Sequence, residues 1–342
     1  MSDLAISTTR LMKSYGDKSV LDGIDLEVAA GEVFALLGRN GAGKTTTVNI
    51  LSTLQRPDGG RAEVFGLDVV RQGTQVRPLI GLTGQFSAID GLLTGRENLA
   101  LVAALAHLPK SQQRQRVDEM LERFDLGDAA SKRASTYSGG MRRRLDLAMT
   151  LIARPRLVFL DEPTTGLDPR SRRTMWDIVS ELVASGVTSF LTTQYLDEAD
   201  ALADRIAVLD GGRIVANDTA AGLKRLIPGG HVDLAFASAT DFDRARSLWP
   251  EASARSEALS LSVAGDGGAG HLRQILTGLE TAGIEPLGIT VETPSLDDVF
   301  FALTGHGTAP AQPDTAPSGT ARTGHGTAPA TQDPAPTEPK GR

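Results

Sequence analysis

The stretch that most narrows the fold is the apolar run GEVFALLG (residues 31–38), which passes through a glycine-rich turn into the helix-like KTTTVNILSTL. The turn, Gly38-Arg-Asn-Gly-Ala-Gly43-Lys44-Thr45, fits the phosphate-binding pattern and sits where that pattern requires, between a strand and a helix start. Glycines let successive backbone N–H groups turn inward around phosphate oxygens, and the helix N-terminus adds its partial positive charge. Lys44 is placed to bridge the β- and γ-phosphates, and Thr45 to put its hydroxyl on Mg²⁺. The candidate nucleotide-binding residues of this loop are Gly38, Asn40, Gly41, Gly43, Lys44, Thr45 and Thr46.

From Leu4 to about Ala220, short apolar runs alternate with helical stretches, the pattern of an α/β domain with a largely parallel sheet. RLVFLDE (156–162) reads as a second buried strand, SFLTT (189–193) as a third, and RIAVLDGGRIV (205–215) as a hairpin turning at Asp-Gly-Gly. Between Thr94 and Ala153 helices dominate, a helical insertion spanning about residues 87–155. The second strand delivers Asp161 to the sheet edge beside the phosphate loop, where it can supply a second metal contact. Glu162 follows at once, and a neighbouring carboxylate that aligns and polarises a water suits hydrolysis better than transfer to a substrate hydroxyl.

A second anion cradle stands at Tyr137-Ser138-Gly139-Gly140-Met141, just before the helix-like RRRLDLAMTL. One nucleotide cannot use both cradles of one molecule if they lie in different subdomains. The pair therefore implies a homodimer in which each ATP lies between the phosphate loop of one subunit and Ser138, Gly139 and Gly140 of the other.

At 342 residues the chain exceeds one compact core and suggests two domains plus extras. No apolar run is long enough to cross a bilayer, and MSDLAISTTR lacks the layout of a secretion signal, so a cytoplasmic protein is expected. The chain has no cysteine, which excludes disulfides and thiolate metal sites. A net charge of -7 argues against broad nucleic-acid binding, although Arg142, Arg143 and Arg144 could form a local basic patch. Residues 221–304 alternate strand-like and helix-like runs in the manner of a small βαββαβ module. They close on PSLDDVFFALTG, where Leu296, Val299, Phe300 and Leu303 share one helical face, Ser295 with Asp298 resembles a capping box, and the face is expected to pack on its own domain. Residues 305–342 hold almost no large apolar side chains and are expected to be disordered, with TGHGTAP repeated at 304–310 and 323–329.

GRNGAGKTT, Gln85, YSGGM, LVFLDEP and GLDP, in this order, resemble the ATP-binding subunit of an ABC transporter over about the first two-thirds of the chain. The resemblance implies a P-loop NTPase fold with a helical subdomain and Mg·ATP as ligand. It also implies that Tyr15 stacks on adenine, that Gln85 reaches Mg²⁺ and senses a membrane partner, and that Asp168 signals across the dimer. Within the family, LTGQFSAIDGLLTGRENL, TYSGGMRRRLDLA, LTTQYLDEADALADRIAVLD and PSLDDVFFALTG are similar to daunorubicin/doxorubicin-resistance subunits. That likeness implies an ATPase peripheral to the cytoplasmic side of the membrane, which powers export of a drug or antibiotic through a separate permease subunit. Most of the family carries a His at the tip of the third strand where this chain has Gln194. An amide can bond to the γ-phosphate but carries no proton charge near neutral pH, so Glu162 is expected to act as base and Gln194 as a sensor. Two alternatives stand beside this reading: a soluble ABC ATPase without a transport role, and a drug- or nucleotide-binding regulatory module.

Overall fold

A computed structural model describes residues 4–84, 88–227, 230–265, 268–292 and 294–305. In chain order the first part runs β1 (Leu4–Tyr15), β2 (Lys18–Ala29), β3 (Val33–Gly38), α1 (Lys44–Leu51), β4 (Gly59–Val64), β5 (Leu67–Asp68), α2 (Gly73–Val76) and β6 (Ile80–Thr83). A helical block follows: α3 (Gly95–Leu105), α4 (Lys110–Arg123) and α5 (Gly139–Leu151). The chain then returns to the sheet with β7 (Leu157–Asp161), α6 (Pro169–Ala184), β8 (Thr188–Thr193), α7 (Leu196–Leu202), β9 (Arg205–Asp210), β10 (Arg213–Asp218) and α8 (Ala220–Lys224).

Every residue of β3, β7 and β8 is buried, as expected of strands covered on both faces. They lie at the centre of a six-stranded sheet ordered β10-β9-β3-β8-β7-β6, parallel except for β10, which returns through the Gly211-Gly212 turn. Five aligned strands thus end on one edge, and the loops after β3, β7 and β8 meet there.

One layer was absent from the sequence reading. β1, β2, β4 and β5 form a separate antiparallel sheet ordered β2-β1-β4-β5, in which Tyr15 ends a strand. Register shifts break the inside–outside alternation of β1, in which buried and exposed residues follow no regular order, and a broken period of two is a weak strand signal. Ile6, Leu26 and Val28 of this sheet share a core with Phe34, Phe159 and Phe190 of the large one, where Phe190 lies 5.6 Å from both other rings. α1 joins this core through Val48, Ile50 and Leu51, while helices α3 to α7 cover the opposite face. There α3 starts with a full Thr94–Glu97 capping box, and Arg116 of α4 donates to the Leu151 and Ile152 carbonyls at 2.6 and 3.2 Å, closing the C-terminal end of α5.

The last part comprises β11 (His231–Ala235), α9 (Ala239–Leu248), β12 (Ser253–Arg255), β13 (Ser260–Ala264), α10 (Ala269–Thr281), β14 (Gly288–Glu292) and α11 (Leu296–Thr304). Its first six elements make the βαββαβ module, an antiparallel sheet ordered β12-β13-β11-β14. Val232, Leu234 and Leu261 of the sheet pack with Phe242, Ile275 and Leu279 of the two helices. α11 departs from expectation. Its Ser295–Asp298 capping box is present, yet Leu296 and Val299 bury themselves with Leu223 of α8 in the helical-side core of the first part. Since α9 and α10 already fill the apolar face of the small sheet, the apolar stripe of α11 finds its cover elsewhere. Each such buried side chain is worth about 1.5–3 kcal/mol.

No helix among the described residues is long and apolar enough to cross a membrane. Gln85 and the tail from residue 306, with its repeated TGHGTAP, lie outside the described residues.

Candidate nucleotide site

At the edge where β3 and β7 end, a cleft of about 510 Å³ gathers Tyr15, Asn40, Gly41, Gly43, Lys44, Thr45, Thr46, Asp161 and Glu162. Two of its glycines are required by this backbone. Gly41 and Gly43 have φ of 81° and 115°, in the region that side chains disfavour, and a Cβ on Gly43 would also stand 2.6 Å from Leu21 Cδ2. Gly38 borders the loop with the same tightness, since its Cβ would meet the Leu209 carbonyl at 2.6 Å.

Lys44 Nζ donates to the Gly38 and Arg39 carbonyls at 2.6 and 3.2 Å and lies 3.6 Å from Glu162 Oε1. Burial draws its pKa down, and the carboxylates of Glu162 and Asp161 oppose that shift. The ammonium is therefore held over the loop. Thr45 Oγ1 donates to Asp161 Oδ2 at 3.1 Å, and Thr192 Oγ1 donates to Asp161 Oδ1, so three elements converge on one carboxylate. A hydroxyl beside a carboxylate, oxygen donors only, is a donor set that fits a hard divalent cation such as Mg²⁺. Glu162 adopts a left-handed backbone, φ 47°, with its N–H donating to the Thr192 carbonyl at 3.0 Å and Thr165 Oγ1 donating to its Oε2 at 3.3 Å.

Gln194 is half-buried and directly follows β8, but it does not line the cleft. The register Leu37↔Thr193 and Asp161↔Thr192 places it at the tip of the strand between the two that carry Lys44 and Glu162. Ser138, Gly139 and Gly140 lie apart from the cleft. Ser138 is the N-cap of α5 and accepts from the Met141 N–H at 3.2 Å; it and Gly139 are exposed. Asp168 caps α6, accepting from the Arg170 and Ser171 N–H groups and from Ser171 Oγ, and those bonds hold its carboxyl below the usual range.

A protein-family model described as "ABC transporter" matches residues 21–165. The daunorubicin resistance ATP-binding protein DrrA2 of Streptomyces coeruleorubidus is 49% identical, over 90% of this chain and 97% of its own length. The daunorubicin/doxorubicin resistance ATP-binding protein DrrA of Streptomyces peucetius is 47% identical, over 88% and 93%. This chain belongs to the daunorubicin/doxorubicin-resistance group of ABC transporter ATP-binding proteins. Among solved structures, an ATP-binding subunit of an ABC transporter superposes with a TM-score of 0.59 at 27% identity, covering 65% of this chain and 92% of its own. The fold is that of an ABC-type P-loop ATPase, and the nucleotide of such a domain is ATP.

Sequence reasoning missed Lys18, Val20 and Arg39 as walls of the cleft, and Thr192 as a partner of Asp161. Lys18 and Val20 come from the antiparallel sheet that left no clear period, so no signal pointed to them. Thr192 was legible in principle, since it sits on the strand next to β7. The three arginines after the second glycine turn do not form one basic patch: Arg142 donates to the Ser135 carbonyl, Arg144 pairs with Asp125, and Arg143 points inward.

Proposed function

We propose that this ABC ATPase works as a homodimer that sandwiches two ATP molecules and drives efflux of a drug or antibiotic through a separate integral membrane subunit. The relatives' names speak for drug resistance, and an anthracycline-like cargo is the reading closest to them. The observation that carries the mechanism is the convergence of Lys44, Thr45, Asp161 and Glu162 within one cleft at the N-terminus of α1. Backbone N–H groups of the loop and Lys44 hold the β- and γ-phosphates, and Tyr15, half exposed at the cleft rim, stacks on the adenine. Thr45 and Asp161, with Gln85 as a further ligand, would hold a Mg²⁺ ion, which would supply charge neutralisation for the phosphates. Glu162 takes the proton from the attacking water, and Gln194 donates to the γ-phosphate and so reports its presence. Ser138, Gly139 and Gly140 of the second subunit close over the same phosphate, while Asp168 faces across the interface.

Closure is the power step. ATP bound in both clefts favours the closed pair, and that motion pulls on the membrane subunit at the cytoplasmic surface through the region of Gln85; hydrolysis reopens the pair. The test is Glu162→Gln in the full-length protein. It is expected to bind ATP with parental affinity, to lose at least ~100-fold in turnover, and to accumulate as a nucleotide-loaded dimer on size-exclusion chromatography. Parental turnover in that variant, or a loaded protein that stays monomeric at high concentration, would sink the mechanism.

A further inference from the structure

We propose that Arg143 is a positioning residue that holds the backbone of Glu162 in its working conformation and so ties the helix of the Ser138 turn to the hydrolytic carboxylate. The inference rests on the roles given above to Glu162 and Ser138. It begins from strain: Glu162 is not glycine, yet its φ is 47°. A residue with a side chain in that region is strained and persists only where its surroundings over-determine it.

The surroundings on one side are the Thr192 carbonyl, which accepts the Glu162 N–H. On the other side both flanking carbonyls are gripped by a single guanidinium. Arg143 Nε donates to the Pro163 carbonyl at 2.8 Å and Nη2 to the Asp161 carbonyl at 3.3 Å. The Asp161 carbonyl belongs to the peptide plane whose rotation is the φ of Glu162, so fixing that oxygen fixes the angle. Because the guanidinium is planar and its donors keep a rigid fork, the two oxygens are held relative to each other as well as to α5. Nη1 reaches Asp146 Oδ2 at 3.4 Å and the Gly84 carbonyl at 3.5 Å, the residue just before Gln85.

The charge is largely enclosed, with only 16% of the side chain exposed, and it stays in place because carboxylates surround it. Burial lowers the pKa of the group, while Asp146, Asp161 and Glu198 raise it. Asp146 lies on α5 itself, and Asp161 and Glu198 come from β7 and α7. Since Arg143 and Ser138 share α5, a shift of that helix when the second nucleotide turn engages its partner reaches the Glu162 peptide without passing through solvent. A misplacement of about 1 Å at such a group can cost ~100-fold in rate.

The experiment compares Arg143→Met and Arg143→Lys with the parent, each alone and combined with Glu162→Gln, by single-turnover hydrolysis and by equilibrium ATP binding. Expected results are a fall of ten- to a hundredfold in the hydrolysis rate for Arg143→Met, ATP affinity within about twofold, and partial recovery in Arg143→Lys, whose ammonium can still reach one carbonyl. In the Glu162→Gln background the same substitution should cost nothing further, because the group it positions has already lost its function. Losses that multiply in the double variant, or a hydrolysis rate that follows a fall in melting temperature and ATP affinity, would overturn the proposal. If Arg143→Met does not fold, Arg143→Lys carries the same cycle. Failure of the proposed function is seen separately, as parental turnover in Glu162→Gln alone, and would take this inference with it.

Discussion

Two helices of this chain open on glycine turns, α1 after Gly38–Gly43 and α5 after Ser138, and the two turns differ in what confines their glycines. At the first, the fold itself demands them: Gly43 has φ 115° and no room for a Cβ beside Leu21, and Gly38 is pressed on Leu209. Lys44, Thr45, Asp161 and Glu162, all of one chain, surround the opening. At the second, a Cβ on Gly139 would meet no atom within 4 Å, and the backbone there is ordinary. Gly140 is different again, because its Cβ would stand 2.7 Å from Ser171 Oγ, the hydroxyl that donates to Asp168. A glycine required by its own fold says nothing of a partner; a glycine the fold does not need, at a helix start, is where one should look for a partner.

The largest effect should come from the first turn, at the residue that completes it from outside the cleft. Gln194→Ala should lower hydrolysis by ~100-fold, in the range for removing one preorganised donor, with ATP affinity unchanged. Gln194→His should retain much of the activity, since imidazole can also donate. Hydrolysis at the parental rate in Gln194→Ala would remove this residue from the phosphate site and leave the first turn complete without it.

A smaller but sharper effect separates the glycines of the second turn. Gly139→Ala should leave the melting temperature unchanged or raise it, since alanine is the better helix former by about 0.5–1 kcal/mol and meets nothing on its own chain. It should nevertheless lower turnover about tenfold and weaken the nucleotide-dependent dimer, because its methyl group enters the space claimed for the partner's ATP. Gly140→Ala should lower the melting temperature, because Ser171 must leave Asp168. Thermal melts and size-exclusion runs with ATP read both. An active, dimerising Gly139→Ala would break the distinction drawn between the turns.

The same two turns mark where the sequence was legible. Lys44, Thr45 and Asp161 could be placed because each is tied to an element end by a strong local pattern: an apolar strand, then a turn, then a helix. Most of the βαββαβ module could be read for a similar reason, from three strand-like and two helix-like runs in alternation; β12, three residues long, was not among them. The antiparallel sheet of β1, β2, β4 and β5 could not. Its strands carry register shifts, and the pairing of β1 with β4 joins residues about fifty apart, which no local pattern encodes. α11 failed differently. Its apolar stripe was plain, but a stripe does not say which core receives it, and here it is Leu223 of α8 and not the module next to it in sequence. Arg143 was seen only as one of three basic residues, because its acceptors are backbone carbonyls that carry no sequence signature.

The smallest expected effect concerns the link between the two turns. Glu198 of α7 is fully buried, faces Arg143, and accepts from Trp176 Nε1 at 3.4 Å. Burial raises its pKa, with the Trp176 N–H opposing and Asp197 adding to the rise. A carboxyl whose pKa is higher folded than unfolded binds its proton more tightly in the native state. Its cost to stability is therefore absent below the unfolded value of about 4.5, grows as pH rises through the folded pKa, and is constant above it. Glu198→Gln removes that cost, so the variant should melt above the parent at pH 8 and together with it at pH 4. Turnover should change little, since Asp146 and Asp161 still enclose Arg143. A variant that melts below the parent at pH 8 and also turns over more slowly would show that the Glu198 charge is part of what holds Arg143, and would extend the connection between the second turn and Glu162 by one residue.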